Sequence, residues 1–417
     1  MEENHVKYKD FIKNHFEMTR EGLNSDIDSI FENSSQIKKI LDESKFLTIG
    51  IGILVKNQEK NIPHVIESVV NISDSITIVD TGSTDHTIDV IKGLQEKYNI
   101  SLKSYPWEEN YSKMRNLVAD YIEEDWIFFI DSDELLQNDI DINILKFSLI
   151  FFEKLFKSDE LVFCFRQKGI GMNGIGYPQR LYKNNKKLKF YGFVHEEIRS
   201  LNLIELKTNF TLLNLGTDEK EVSKFNKVHR YDNLLLKNIK LEPDNIKWFA
   251  LLSKEWMLNN LDEFTSQQSH FINEIKKNSA MNDFFSMKVY ITFINFLILE
   301  EQSSELINSE IEFAKNRFSH NPIFYYFEYY VNILKIDNEV KKLIQKLRED
   351  IKTISSHSKS EWDILFQFET IECVLIKLLM KSSNYQLAYN IYNNKKLELE
   401  KTGLLESEIE FFESVNN

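Results

Sequence analysis

The sequence predicts an α/β domain followed by an all-α domain in a chain of 417 residues. Four short apolar runs alternate with amphipathic segments between Thr48 and Asp131, which is typical of a parallel sheet covered by helices on both faces. Past residue 215 the β pattern stops, and residues 220–415 have the apolar spacing of roughly eight helices.

The length also exceeds what one hydrophobic core holds, so we expect several domains. The composition, 42% hydrophobic and 13% aromatic, is that of a folded protein. We expect an N-terminal helical extension over residues 1–45, an α/β domain over 46–215 and a helical domain over 216–417.

Charge and cysteine content exclude several classes of protein. A net charge of −14 argues against nucleic-acid binding, and no apolar run is long enough for a membrane span. The 2 cysteines indicate a reducing, cytoplasmic location. Neither zinc-site spacing nor a phosphate-binding GxxxxGK[ST] loop occurs in the sequence.

The elements of the α/β domain follow in order along the chain. Strands are predicted at residues 48–55, 75–80, 101–107, 125–131 and 161–167, and the first four alternate with helices at 64–71, 84–98 and 110–122. Ligands bind beyond the carboxyl ends of the strands in such sheets. The polar residues that follow each strand are therefore the candidates for a site.

The tail is interpreted either as helical-hairpin repeats or as an irregular helical bundle. Pro243 and Pro322 stand before comparable apolar segments and are 79 residues apart, a little over two tetratricopeptide units of about 34 residues. This spacing favours a tetratricopeptide-like repeat.

Three carboxylates follow the fourth strand, on Asp131, Asp133 and Glu134. Carboxylates this close repel each other unless a cation or hydrogen-bond donors neutralise them. Mg²⁺ or Mn²⁺ would be held by one or two carboxylates and by phosphate oxygens. Such a metal would stabilise a departing diphosphate.

A basic strip lies between Gln167 and His195, where no acidic residue occurs. It is either a solvated surface or a strip that faces an anionic ligand near the three carboxylates. Arg180, Lys183, Lys186, Lys187 and Lys189 fall in this window.

Several motifs resemble family-two glycosyltransferases with the A-type, Rossmann-like nucleotide-sugar-binding fold, in order and in spacing. They are ILVKNQEKNIPHVIESV, IVDTGSTDHTIDVI, WEENYSKMRN, WIFFIDSDE and LKFYGFVHEEI, and they cover about residues 47–200. With its helical tail, the chain looks most like the bacterial enzymes that glycosylate glycocin peptides, the sublancin S-glycosyltransferase type.

The resemblance implies a role for individual residues. Asp131 and Asp133 match the metal-binding DxD motif, and His195 is a candidate third metal ligand. The residues implied in binding the nucleotide sugar are Asn57, Glu59, Asp80, Ser83, Asp85, Arg115, Asp131, Ser132 and Arg180.

His195 and Glu196 are the candidate catalytic residues. We interpret Glu196 as the general base that takes the acceptor proton and His195 as a ligand of the metal or the diphosphate, although the two roles could be exchanged. A cysteine acceptor, with a pKa of about 8.5, needs only a modest base, whereas a serine hydroxyl needs more help.

The resemblance therefore implies a metal-dependent, inverting transfer of a hexose from a UDP-sugar, with UDP-glucose favoured, to Cys or Ser of a bacteriocin precursor peptide. One alternative acceptor is a cell-surface glycan or a lipid-linked sugar. An alternative of another class is an inactive helical-repeat scaffold. The N-terminal helices and the tail also offer surface for a homodimer.

Overall fold

The computed structural model describes residues 2–17, 23–169, 174–215, 227–281, 283–319, 321–355 and 369–416. The chain divides into two compact units, Met1–Leu261 and Asp262–Asn417. The first unit thus includes residues that the sequence analysis assigns to the helical domain, and the division at 45 and 215 remains a prediction. Across the described ranges, no helix combines the length and the apolar character that a membrane crossing requires.

The first half of the central sheet is parallel, as the sequence predicts. Its strands lie in the order β3-β2-β1-β4 and are joined by helices α4 to α6. Their bounds are β1 Ile49–Val55, α4 Ile62–Val69, β2 Ser75–Asp80, α5 Thr87–Gln95, β3 Ile100–Ser104, α6 Tyr111–Asp120 and β4 Trp126–Phe129.

The second half of the sheet is mixed, and of its strands the sequence predicts only β6. The order continues β4-β8-β6-β11-β5, with β8 antiparallel to both of its neighbours and β7 paired with β6. Strands β9 and β10 form a separate hairpin. The bounds are β5 Glu134–Leu136, β6 Leu161–Gly169, β7 Ile175–Gly176, β8 Gln179–Lys183, β9 Lys189–Tyr191, β10 Glu197–Arg199 and β11 Ile204–Asn214.

The path from β4 to β5 requires the sheet to curl. Three strands separate β4 from β5 in the sheet order, which corresponds to about 19 Å in a flat sheet. The five Cα steps from Phe129 to Glu134 reach about 18 Å when fully extended. Since Glu134 N–H donates to the carbonyl of Asp131 in a turn, the chain is shorter still, and β5 must bend back toward β4.

Hydrophobic cores cover both faces of this sheet. On one face, Val118 of α6 and Phe190 of β9 pack on residues such as Phe129. On the other, the sheet packs on helix α7, Ile142–Phe156, to which the sequence analysis assigns no element. The N-terminal helices belong to this second core: α1 Glu2–His15, α2 Leu23–Glu32 and α3 Ser34–Ser44.

Beyond β11 the described residues are helical, which confirms the predicted change of texture after residue 215. The first unit ends with α8 Lys227–Leu241, α9 Ile246–Ala250 and α10 Lys254–Asn259. The second unit comprises the following helices, the first of which begins one residue before the boundary: α11 Leu261–Lys277, α12 Phe284–Leu299, α13 Ser304–Arg317, α14 Pro322–Ser355, α15 Glu369–Lys381, α16 Tyr385–Asn394, α17 Lys396–Glu400 and α18 Glu406–Asn416.

The two prolines of the repeat argument have different places in this tail. Pro322 is the first residue of α14, where its missing N–H costs nothing. Pro243 lies in the turn before α9, which the side chain of Asn245 caps. The tetratricopeptide character of the tail remains a prediction.

Substitution of Phe16 tests whether the N-terminal segment is part of the core. Its ring is 3% exposed, and its centroid lies 4.7 Å from that of Phe152 and 5.5 Å from that of Phe163. We expect Phe16→Ala to lower the free energy of unfolding of the first unit by about 3 to 5 kcal/mol, measured by urea denaturation. Phe46→Ala is the control, because this ring is 83% exposed and its loss should cost about 0.5 kcal/mol or less. Equal losses of unfolding free energy in Phe16→Ala and Phe46→Ala would contradict the packing of Phe16 in the core.

Candidate functional site

The carboxylates after β4 lie in a tight turn at the carboxyl end of the parallel strands. Ile130 N–H still donates to the Gly52 carbonyl, and the chain then turns at Asp131. Oε2 of Glu134 accepts the N–H of Asp131 at 3.1 Å, so the third carboxylate fixes the backbone of the first. Ser132 and Asp133 lie partly exposed in this turn.

Asp131 is the centre of a row of alternating charges, here called the acid–arginine row: Glu196, Arg115, Asp131, Arg180 and Glu134. Arg115 donates from Nε to Glu196 at 2.5 Å and from Nη2 to Oδ1 of Asp131 at 2.8 Å. Nη2 of Arg180 donates to Oδ2 of Asp131 at 2.8 Å and to Oε1 of Glu134 at 2.6 Å. The row thus links α6, the turn after β4, β8 and the β9–β10 hairpin.

The row is largely withdrawn from water, which sets the protonation of its carboxylates. Burial alone would raise the pKa of Asp131, but the guanidiniums of Arg115 and Arg180 outweigh it, and the pKa falls below its usual value. In Glu134, whose side chain is fully buried, burial dominates and raises the pKa, and the nearby Asp131 acts in the same direction. Asp131 is therefore the ionised centre of the row.

The row has more carboxylates than guanidiniums, which favours binding of a cation. Three carboxylates face two guanidiniums, and Asp133 adds a further carboxylate to the same turn. Each oxygen of Asp131 accepts one arginine N–H and keeps a second lone pair. Two carboxylates of this kind fit Mg²⁺ or Mn²⁺, whose remaining ligands would be diphosphate and water oxygens.

A metal held by protein side chains alone is not supported. Among the residues that the structure describes, no three His, Cys, Asp or Glu side chains are grouped to hold a metal ion. Asp131, Asp133 and His195 are thus not brought together as a complete ligand set. The role of these three residues in metal binding remains a prediction.

The loops after β1 and β2, which carry four of the predicted nucleotide-binding residues, are bound to each other. Asn57 N–H donates to Oγ of Ser83, and Oδ1 of Asn57 accepts the N–H of Thr84 at 2.7 Å. In the same way, Glu59 N–H donates to Asp85 and Oε2 of Glu59 accepts from His86 N–H.

Asp80, at the end of β2, is 3% exposed and accepts the N–H groups of Gly82 and Ser83. Its carboxylate therefore shapes the turn of the loop. Binding of a nucleoside by these loops remains a prediction.

The loop of the β9–β10 hairpin carries His195 and Glu196 and is docked on helix α8. Asn238 accepts the N–H of Phe193 at 2.7 Å and donates to the carbonyl of Val194 at 3.1 Å. His195 has a φ of 52°, in the left-handed region that costs a residue with a Cβ of the order of 1 kcal/mol. The hydrogen bonds from Asn238 hold the loop in this conformation.

Gly192 allows the hairpin to approach helix α9. It has a φ of 104°, and a Cβ at this position would lie 3.0 Å from the ring of Trp248. Trp248 in turn donates from Nε1 to Glu242 at 2.8 Å.

A cluster around Arg199, here called the hairpin lock, fixes the base of the same hairpin. Arg199 donates to Glu197 and, through both terminal nitrogens, to Glu242 at 2.6 and 3.2 Å. Its guanidinium also lies 4.2 Å from the centre of the Tyr191 ring. Hydrogen bonding to Arg199 lowers the pKa of Glu242 from 4.5 to about 2.

Each of the two interpretations of the basic strip, a solvated surface or a strip near the three carboxylates, holds for some of its residues. Arg180 is buried and meets Asp131 and Glu134. Three lysines of the strip instead pair with acids elsewhere on the surface of the domain. These pairs are Lys183–Glu153, Lys187–Asp159 and Lys189–Asp120. Most of the strip is thus a solvated surface, and Arg180 is its contribution to the site.

Helix α8 contributes residues that the sequence analysis does not predict. The rings of Tyr231 and His195 are nearly perpendicular, with centroids 5.7 Å apart, and Arg230 donates to the hydroxyl of Tyr111 at 2.8 Å. The sequence analysis assigns these residues to the helical domain. The signal that could have found them is the cluster Arg230, Tyr231 and Asp232, in which a cation and an aromatic ring are neighbours near the start of an otherwise amphipathic helix.

Comparison with known proteins confirms the resemblance that the motifs indicate. Residues 51–149 match the family model of glycosyl transferase family 2, so the chain contains a domain of this family. The SPbeta prophage-derived glycosyltransferase SunS of Bacillus subtilis (strain 168) is 30% identical over 263 residues, 62% of this chain and 59% of SunS. The chain therefore matches less than two thirds of the length of this relative.

Two further similarities are shorter or more distant. An uncharacterized glycosyltransferase of Rickettsia typhi is 34% identical over 92 residues, 22% of this chain and 30% of that protein. The crystal structure of S. aureus TarS 1–349 in complex with UDP-GlcNAc aligns with a TM-score of 0.33 and 15% identity, covering 68% of this chain and 90% of that one.

The hairpin lock predicts a pH dependence of stability. Because the pKa of Glu242 is lower in the folded protein, its ion pair stabilises the fold above about pH 4.5 and is lost as the pH falls toward 2. We expect Glu242→Gln to lower the free energy of unfolding by about 1 to 2 kcal/mol at pH 6, and the difference from wild type to vanish near pH 2. Urea denaturation between pH 6 and pH 2 measures this difference, and Glu123→Gln, at an exposed position, is the control. A difference that does not change with pH would contradict the assignment.

Proposed function

We propose that the protein is a metal-dependent, inverting glycosyltransferase that moves a hexose from a UDP-sugar, UDP-glucose in the first instance, to a Cys or Ser side chain of a bacteriocin precursor peptide in the cytoplasm. The observation that carries the proposal is the acid–arginine row at the carboxyl end of the parallel strands. Three of its members, Arg115, Asp131 and Glu134, lie within residues 51–149, which match the glycosyl transferase family 2 model. The similarity to SunS supports the transferase activity.

The donor would be bound by its diphosphate at the turn after β4. Asp131 and Asp133 would hold Mg²⁺ or Mn²⁺, which supplies charge stabilisation to the leaving UDP. Arg115 and Arg180 fix the carboxylate of Asp131 from both sides, so its orientation is set before a ligand arrives. The loops of Asn57, Glu59, Asp80, Ser83 and Asp85 would bind the nucleoside.

Glu196 is the proposed general base. Arg115 binds its Oε1, which orients the carboxylate and links it to Asp131 through one guanidinium. The base and the proposed leaving-group site thus lie on the two sides of Arg115. Such proximity suits a displacement in which the acceptor loses its proton as the sugar leaves UDP.

The peptide acceptor follows from the resemblance to enzymes that modify glycocins. UDP release from UDP-glucose, measured with Cys peptides, Ser peptides and saccharide or lipid acceptors, tests it. Turnover with saccharide or lipid acceptors alone would contradict the peptide part of the proposal and leave the donor chemistry standing. An absence of UDP release with every acceptor would favour the inactive scaffold.

Asp133→Asn is the direct test of the metal role. We expect the loss of one carboxylate to abolish transfer while the free energy of unfolding stays within about 1 kcal/mol of wild type, because Asp133 lies in a turn of like charges. Asp139→Asn, which removes an exposed carboxylate from the following segment, is the matched control. Chelation with EDTA should also abolish transfer. Equal activity in EDTA and in Mg²⁺ would contradict the role.

A further inference from the structure

A row of aromatic rings, here called the aromatic wall, runs from the end of β3 to the hairpin loop. It consists of Trp107, Tyr111, Tyr231 and His195. The centroids of Trp107 and Tyr111 are 4.6 Å apart, those of Tyr111 and Tyr231 are 6.1 Å apart, and those of Tyr231 and His195 are 5.7 Å apart. Each pair meets edge to face, the favourable orientation for aromatic rings. The wall therefore connects helices α6 and α8 to the residue before Glu196.

Tyr231 lies close to the acid–arginine row. Burial raises the pKa of Tyr231, and the carboxylates of Glu196 and Asp131 raise it further, although Tyr111 and Arg230 act in the opposite direction. The hydroxyl is thus protonated and lies in the field of both carboxylates. It shares a hydrogen bond with Tyr111 and keeps the capacity for a further hydrogen bond to a ligand.

Arg230 is a polar partner of the wall. Nη2 of Arg230 donates to the Tyr111 hydroxyl at 2.8 Å. Nε of Arg230 is buried and has no hydrogen-bond partner within the described residues. The same holds for Nη1 of Arg115, whose Nε donates to Glu196. Buried N–H groups that lack a partner are costly, so these two groups, one on Arg230 beside the wall and one on Arg115 of the row, can bind the acceptor oxygens of a ligand.

We propose that the aromatic wall binds the hexose of the donor and that the Tyr231 hydroxyl is a specificity-determining contact to one of its hydroxyls. This inference rests on the proposed function. A hexose has an apolar C–H face that packs on aromatic rings, and its hydroxyls pair with the mixture of donors and acceptors found here. A site built to bind a particular hydroxyl discriminates strongly against ligands that misplace it.

The competing role of the wall is packing of α8 against α6, and the experiment must separate the two. Tyr231→Phe keeps the ring and removes the hydroxyl, Tyr231→Ala removes both, and Tyr121→Phe removes a hydroxyl from a 39% exposed ring at the end of α6 as a control. Affinities for UDP, UDP-glucose and UDP-galactose are measured by calorimetry with Mn²⁺. Thermal unfolding of each variant is recorded in parallel.

We expect UDP affinity to stay within about twofold of wild type in both Tyr231 variants, because the wall contacts the sugar and not the nucleotide. The gain in affinity from UDP to UDP-glucose should fall about tenfold in Tyr231→Ala, and Tyr231→Phe should lose about tenfold of the discrimination between UDP-glucose and UDP-galactose.

Two outcomes would overturn the inference while the proposed function survives. In one, both Tyr231 variants keep the wild-type discrimination between UDP-glucose and UDP-galactose and the wild-type gain in affinity from UDP to UDP-glucose. The other is an equal loss for UDP and UDP-glucose together with a lower melting temperature, which is the result of a packing role. If titration of the wild-type protein with UDP-glucose gives no more heat than titration of buffer alone, the proposed function fails, and this inference fails with it.

Discussion

The position of Asp131 between two buried guanidiniums is the interaction on which the rest of the site depends. Taking ions out of water costs several kcal/mol each, and their attraction offsets this only when each charge has well-placed opposite partners. Arg115 and Arg180 are nearly buried, with side chains 7% and 6% exposed, so their carboxylate partners are necessary for the fold. The alternation of charge from Glu196 to Glu134 satisfies this condition.

The same row explains how distant parts of the chain reach one site. Arg115 comes from α6, Arg180 from β8 and Glu196 from the hairpin loop, and each meets a residue of opposite charge. The curl of the sheet brings β5, and with it Glu134, back to the end of β4. The row thus fixes the geometry in which a ligand would find the turn after β4.

The hairpin is the part of the site that needs most support, because its loop carries a residue in the left-handed region. Asn238 of α8 binds Phe193 and Val194, the two residues before the strained position, and the hairpin lock fixes the strands below it. Helices α8 and α9 therefore belong functionally to the first unit. This agrees with the division of the chain after Leu261.

The parts of the fold that the sequence predicts are those with local signals. Strands β1 to β4 are apolar runs that alternate with helices, and the acids after β4 stand out against them. The antiparallel strands β8 to β10 have 3 to 5 residues each, and runs this short carry little β signal of their own. Strand β8 depends on its pairing with β4 and β6, and β9 and β10 pair with each other.

The candidate site divides in the same way. Asp131, Arg115, Arg180 and Glu196 are indicated by the motifs and are brought together, whereas Tyr231 becomes visible only when α8 is docked. The position of a helix on a domain depends on tertiary contacts, which periodicity does not encode.

The most direct test of the account is anomalous diffraction from crystals grown with Mn²⁺ and UDP. The account predicts a manganese peak within about 2.5 Å of a carboxylate oxygen of Asp131 or Asp133, with the diphosphate as its neighbour. A well-ordered UDP whose diphosphate and metal lie away from both aspartates would contradict it.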